Sequence, residues 1–279
     1  MQDSPENGRP AARGRPAGDT ERRRIQSIET GFALLAALVD AAAPLTLGDL
    51  AKRAGMSAAK AHPYLVSFIN VGLVRQDALS GQYELGPFAL QMGLVSLQRL
   101  DPVRIALPEL AELSARIGHT LSLAVMGSHG PTVVHIREAS YPVHVNMRPG
   151  TVMSLRHTAT GRVFAAWLPQ AVLNHYLERE AGDNAVVTSV GHPIPTESAW
   201  QADLRDVRER GMARAQGHPL PGVNAFSVPV FNHEGQIVLA LTCLGPSSLL
   251  DAEWSSPIAA SLKHCADIIS HKLGNPAAG

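Results

Sequence analysis

Residues Thr46–Asp77 read TLGDLAKRAGMSAAKAHPYLVSFINVGLVRQD, and this stretch decides how the rest of the chain is understood. Leu47, Leu50, Ala51 and Ala54 recur at helical spacing, so Thr46–Ala54 can bury one face. Gly55 stands just past the last periodic residue, where a helix end takes a left-handed cap. Ser57 is placed as the N-cap of a second helix, whose buried stripe is Ala61, Leu65, Phe68, Ile69 and Gly72. Two short helices across so brief a turn form the helix-turn-helix pattern, whose second helix can lie in a DNA major groove. Pro63 falls inside that second helix. Beyond the first turn a proline costs about 3 kcal/mol, so either the helix begins later than Ser57 implies or it kinks near Ala59.

Working outward, Ile25–Ala41 is a helix with Ile28, Phe32, Leu35 and Leu38/Val39 on one face. Leu73–Gln76 and Gln82–Leu85 alternate around a Ser80-Gly81 turn and read as a hairpin. Three helices and a hairpin make a winged helix-turn-helix over residues 25–86. Residues 1–24 carry Pro, Gly, Arg and acidic side chains without periodicity and read as a disordered tail. Within it, Arg13-Gly14-Arg15-Pro16 resembles the core of an AT-hook, which lays arginines in a narrow minor groove. Arg22–Arg24 is placed to touch phosphate. Phe88–Leu100 reads as a connecting helix (87–101 with its flanks). Phe88, Leu90, Leu94, Val95 and Leu97 give it more apolar surface than a free linker needs, and a dimer partner is its natural cover. Asp101-Pro102 then opens a new helix with an N-cap and a first-turn proline.

Residues 102–274 change character. A helix ends at Gly118, and β-like runs follow at Thr120–Met126, Thr132–Arg137 and Tyr141–Met147. Helices are expected at Thr160–Leu168, Gln170–Glu180 and Thr196–Gly211. Strands at Val223–Phe231 and Gln236–Leu244 meet at an Asn232–Gly235 turn, and Ser256–Leu273 closes the chain as a helix. Central strands with helices around them give an α+β domain, an antiparallel sheet flanked by helices.

Composition narrows the function. A length of 279 residues suits two domains. Lys+Arg and Asp+Glu are both 24, so the net charge names no polyanionic partner. Two cysteines are too few for a disulfide framework or a four-ligand zinc site. No apolar run approaches the roughly 20 residues of a membrane span, and the N-terminus lacks a signal-peptide core, so a cytoplasmic protein is expected. No GxSxG, HExxH, GxxxxGK[ST] or strand-linked GxGxxG appears, which argues against a small-molecule enzyme with an accessory helical domain. His129, His135 and His144 fall on different strands and turns without a supporting carboxylate, and neither a metal nor a cofactor is expected.

In order and spacing, Ile25–Leu273 resembles the IclR family of bacterial transcription regulators. Three segments carry the resemblance: Leu45–Ala51 through Gly72-Leu73-Val74 and Tyr83–Gly86; His157–Arg162; and Gly222-Val223, Pro229–Phe231, Gly235 and Leu244–Pro246. The resemblance implies a winged helix-turn-helix, a connecting helix and a GAF-like effector-binding domain. It also implies a double-stranded DNA operator, a small-molecule carboxylate effector, and a homodimer or homotetramer. Many relatives carry Ser-Thr and then Arg in the recognition helix, where this chain has Ala59-Lys60 and Pro63. Lys60 and His62 thereby become the expected groove-facing side chains, with Thr46, Ser57, Pro63 and Ser67 completing the DNA-contacting set. Ala159-Thr160-Gly161 sits where a loop enters a helix, and free N–H groups there suit a carboxylate. The resemblance places Ala225, Ser227, Thr242 and Leu244 opposite that loop. Ala225 and Leu244 are apolar, which favours an aromatic acid. Arg148, His144 and His157 are further candidates to neutralise an anion, and Cys243 alternates away from Thr242 into the core. The competing reading is a DNA-binding protein whose second domain only dimerises.

Overall fold

The computed structural model describes residues 25–139, 147–182 and 193–276. The Met1–Arg24 tail with its Arg13–Pro16 motif, His144, and the expected strand at Tyr141–Met147 apart from its last residue lie outside them. The chain divides between Gln98 and Arg99 into two compact units, and the connecting helix belongs to the first. Among the described residues no helix is long and apolar enough to cross a membrane.

The first unit contains α1 (Gln26–Ala41), α2 (Leu47–Arg53), α3 (Ala58–Asn70), β1 (Val74–Gln76), β2 (Tyr83–Leu85) and α4 (Pro87–Gln98). Leu34 and Leu38 of α1, Leu50 of α2, and Ala61 and Leu65 of α3 meet over Val74 and Tyr83 to form its core. Burial of a leucine contributes about 1.5–3 kcal/mol, and Leu34, Leu50 and Leu65 are each fully buried. β1 and β2 pair antiparallel, and Leu45 adds two backbone bonds to Tyr83, at 3.0 and 2.8 Å. The wing is therefore fastened to the chain entering α2. At the wing's exit, a Cβ on Gly86 would lie 2.3 Å from the Gly72 carbonyl oxygen, so only glycine fits.

The second helix of the opening stretch starts where Ser57 indicates. Ser57 Oγ accepts the Lys60 N–H at 3.3 Å, and α3 runs unbroken from Ala58 through Pro63 to Asn70. This corrects the alternative of a later start. Pro63 cannot serve the Ala59 carbonyl with an N–H; both residues lie on the exposed side of α3, while Ala61 and Leu65 hold the opposite side in the core. On α4 no residue is buried, and Phe88, Leu90, Met92, Leu94, Val95 and Leu97 are all exposed.

The second unit contains α5 (Pro102–Ile117), β3 (Thr120–Gly127), β4 (Gly130–Arg137), α6 (Ala159–Trp167), α7 (Gln170–Gly182), α8 (Glu197–Arg210), β5 (Ala213–Gln216), β6 (Val223–Phe231), β7 (Ile237–Pro246) and α9 (Pro257–Lys272). Its strands form one antiparallel sheet in the order β4-β3-β7-β6-β5. Strand alternation sorts the side chains. Leu121, Leu123, Phe226, Val228, Leu241 and Cys243 face one way, into a core shared with Leu110 and Leu113 of α5 and Leu262 and Ile269 of α9. Ala124, Ala213, Ala215 and Ala240 face the other way, against Val163 and Phe164 of α6 and Trp200 and Leu204 of α8. Small residues on that face let α6 approach the sheet closely. The edge strand β5 was not expected. It has four residues, and its inward side chains are alanines, so it carries no β-branched or aromatic signature.

Candidate functional site

α3 presents its surface according to helical geometry. Ala61 and Leu65 are buried, and Tyr64 and Phe68 are half-buried beside them. Directly opposite, Ala59, Pro63, Val66 and Asn70 form a stripe at i, i+4, i+7 and i+11, all exposed. Lys60 and His62 are exposed on the two flanks of that stripe, and Lys60 makes no ion pair among the described residues. The predicted hydroxyls have local partners. Thr46 Oγ1 accepts the Asp49 N–H at 3.2 Å and donates to the Asp49 carboxylate at 2.7 Å, capping α2. Ser57 caps α3, and Ser67 Oγ donates to the Pro63 carbonyl at 3.0 Å. Ala59, Val66 and Asn70 were not in the predicted set. Projecting α3 opposite its buried stripe would have found them.

The wing tip is held by Asp77, whose Oδ1 accepts the N–H groups of Leu79 and Ser80 at 3.1 and 2.7 Å and the Ser80 hydroxyl at 2.8 Å. These bonds, the Ser80 N–H foremost, hold its carboxyl below the usual range. Leu79 is left fully exposed at the tip.

In the second unit, three of the predicted effector residues form one buried chain of hydroxyls. Thr160 Oγ1 lies 2.8 Å from Thr242 Oγ1, which donates to Ser227 Oγ at 2.8 Å. A hydroxyl has one hydrogen to give, so Thr160 donates to Thr242. Ser227 and Thr242 are cross-strand partners, and Ala225 and Leu244 pair one step further along on the same sheet face. Ala159 and Gly161 are buried in the first turn of α6. Thr158 caps that helix, accepting the Gly161 N–H at 2.9 Å and donating to the Ser154 carbonyl at 2.7 Å. The N–H groups of Ala159 and Thr160 precede the helix's own ladder. Gly161 is fixed by packing, because a Cβ there would lie 1.9 Å from the Ser154 carbonyl oxygen. The Ser154 loop is itself tied to α7, where the Glu180 carboxylate accepts the Ser154 hydroxyl and, at 2.9 Å, the Leu155 N–H.

Beside this helix start opens a cavity of about 430 Å³, lined among others by Arg156, His157, Arg162, Trp200, Asp203, Gln216 and His218. None of the seven predicted effector residues lines it. It adjoins them through His157, next to the Thr158 cap, and through Ala215, the cross-strand partner of Ala225. Arg162 pairs with Asp203 at 2.9 Å and donates to the Arg214 carbonyl, while its buried Nε has no partner among the described residues. The Arg214 guanidinium is engaged with the Trp254 ring and the Ala252 carbonyl. The Arg156 guanidinium lies 5.3 Å from the Trp200 ring centre and has no carboxylate partner among the described residues. The rings of His157 and His218 meet edge to face at 6.2 Å. Of the other anion-neutralising candidates, Arg148 does not line the cavity and His144 lies outside the described residues. Arg156, Trp200 and His218 were missed because α8, the loop after β5 and the α6 approach meet only in space.

Among the described residues no three His, Cys, Asp or Glu side chains gather as metal ligands. Cys243 and Cys265 are buried in the core, and burial pushes each thiol up to about 12.

Residues 27–78 match the IclR helix-turn-helix domain, and residues 94–271 match the C-terminal domain of the bacterial transcriptional regulator IclR. The chain is 28% identical over 253 residues to the HTH-type transcriptional regulator XynR of Escherichia coli, covering 91% of this chain and 99% of that protein. It is 29% identical to the glycerol operon regulatory protein of Streptomyces griseus, over 90% of this chain and 98% of that one. The crystal structure of Pseudomonas aeruginosa HmgR superposes with a TM-score of 0.81 at 36% identity, covering 90% of this chain and 99% of that chain. The first two of these relatives are regulators by name, and the enzyme alternative is set aside. The chain belongs to the IclR family of DNA-binding bacterial transcription regulators.

Proposed function

We propose that this regulator acts in the cytoplasm as a ligand-responsive dimer. Its second unit binds a small organic acid, aromatic in preference, and α3 contacts the operator through Lys60 and His62, with Thr46, Ser57, Pro63 and Ser67 beside them. The observation that carries the ligand reading is the cavity at the start of α6. Its volume of about 430 Å³ falls within the roughly 300–1,000 Å³ of small-molecule sites. Its wall carries the Arg156 guanidinium, which has no carboxylate partner among the described residues and which an acid would pair with. Trp200, Ala215, Pro193 and Pro195 supply the apolar surface that a ring would cover. The predicted residues Ala159, Thr160, Gly161, Ala225, Ser227, Thr242 and Leu244 stand behind this wall and adjoin it through His157 and Ala215.

Dimerisation is supported by the apolar side chains left exposed in the first unit. Ile28, Phe32 and Val39 of α1 and six residues of α4 are exposed, more than a surface helix carries without a partner. A two-fold dimer places paired α3 helices on a palindromic site. Binding in the second unit then alters operator affinity through α4, the segment that joins the two units in sequence.

The test uses the full-length protein with panels of aliphatic and aromatic carboxylates, read by thermal shift. An active acid raises the unfolding temperature and changes operator affinity by about 5- to 150-fold, and the effect on operator affinity is lost in Arg156→Ala. If no acid shifts the protein, the reading of a second unit that only dimerises takes its place.

A further inference from the structure

We infer that this protein reads thymine methyl groups in the major groove through an apolar stripe on α3, with Val66 at its centre. The inference rests on α3 being the groove-entering helix of the unit. What that helix offers to bases is unusual. Its outward line is Ala59, Pro63 and Val66, followed by Asn70, and none of these bears a charge. Lys60 is the only permanently charged residue of α3, and it stands on the flank. The helix holds no arginine, and its outward line therefore offers no guanidinium to guanine O6 and N7. Val66 is 43% exposed although it is a β-branched aliphatic residue one position from the fully buried Leu65. Among the described residues nothing closes over its exposed side.

The chemistry of base edges then selects the partner. In the major groove the thymine 5-methyl is the one apolar group a base pair presents, and small apolar side chains are its complement. Ala59 and Pro63 keep the N-terminal half of the stripe short, which lets the helix approach the groove floor. Val66, one turn further, is then the longest apolar group on that line. The hydroxyl of Ser67 is turned back to the Pro63 carbonyl and does not lie on the line. Each half-site is therefore expected to hold at least one thymine under Val66. Lys60 and His62 flank the contact and supply phosphate or base-edge hydrogen bonds.

The experiment removes the methyl and nothing else. A preferred operator is selected from random duplexes with the full-length protein, and each thymine in a half-site is replaced in turn by deoxyuridine. Affinity is read by fluorescence anisotropy. Loss of one buried methyl should weaken binding about 3- to 5-fold per half-site at one or two thymines and leave the others silent. Val66→Ala should weaken binding to the thymine operator by a similar factor and show no further loss on the deoxyuridine operator. Val66→Glu, which puts a carboxylate on the same line, should abolish binding and serves as the control for α3 lying in the groove. If deoxyuridine is silent at every thymine, or the selected half-site contains none, while Val66→Glu abolishes binding, the methyl reading is overturned and the groove assignment stands. If Val66→Glu also binds normally, the groove assignment itself fails.

Discussion

Gly161→Ala tests whether the glycine at the start of α6 is there for packing. The added Cβ would sit 1.9 Å from the Ser154 carbonyl oxygen and 2.6 Å from the Leu155 Cα. Both obstacles are backbone, so no side chain can swing aside. Ser154 would have to retreat by about 1.1 Å to reach even 3.0 Å, below which Cβ contacts are essentially never found. Overpacking of this kind costs about 1–3 kcal/mol. The retreat also strains the Thr158 hydroxyl bond to Ser154 and the Glu180 bond to Leu155, and each such bond contributes about 1 kcal/mol. Against this, alanine gains up to about 1 kcal/mol in helix propensity over glycine. The net expectation is a loss of about 2–4 kcal/mol from the second unit. The chain's three tryptophans, Trp167, Trp200 and Trp254, all lie in that unit. Denaturant unfolding followed by tryptophan fluorescence therefore reports on it without interference from the first. A change below about 0.5 kcal/mol would refute the packing argument and return Gly161 to a purely ligand-binding role.

Pro63→Ala should stabilise the first unit, because it restores an N–H to the Ala59 carbonyl at the sixth residue of α3. The gain should fall short of the roughly 3 kcal/mol of an interior proline, since α3 already runs unbroken through Pro63 on its exposed side. Hydrogen exchange of the α3 amides reads it, and unchanged protection would count against it. Cys243 and Cys265 should resist a thiol reagent at pH 8 in the folded protein and react at once in denaturant. Their thiols are raised by burial from an ordinary 9 to about 12. Above pH 9 the unfolded chain releases those protons and the folded chain does not, so second-unit stability should be fully present below that pH and decline from 9 toward 12. Rapid labelling of the native protein at pH 8 would contradict the burial of both thiols.

How much of this was legible in the sequence depended on whether the signal was local. Ser57 and Asp101 cap the helices they precede, as their positions indicate, because a cap is decided within four residues. Alternation along β6 and β7 separated Cys243 from Thr242 correctly, since the period of two is fixed by the strand itself. β5 escaped because its inward residues are Ala213 and Ala215, which read as neither strand nor core until α6 and α8 are laid over them. The cavity escaped for a related reason. Arg156, Trp200 and His218 are distant in sequence and ordinary one at a time. Arg162 was quoted as part of a motif, but its bond to Arg214 crosses to the strand that went unseen. On α3 the predicted set joins Lys60 and His62 to Pro63, and the helical projection puts Ala59 and Val66 outermost beside Pro63.

The same geometry constrains how a bound acid could change the regulator's state. A ligand shifts an equilibrium only by the difference in its affinity for the two states. Most of the structure around the start of α6 is already fastened. Gly161 is wedged against Ser154, Thr160 is bonded through Thr242 to Ser227, and Arg162 is held by Asp203 and Arg214. Groups so held offer a ligand similar contacts in either state and contribute little to the difference. Arg156 is otherwise placed, since its guanidinium only stacks on Trp200 and is free of any carboxylate among the described residues. Under the proposed function, Arg156 is therefore the group whose position an arriving carboxylate can change most. Its replacement by alanine should uncouple operator affinity from ligand more completely than it weakens ligand binding, which separates a residue that transmits the signal from one that merely holds the acid.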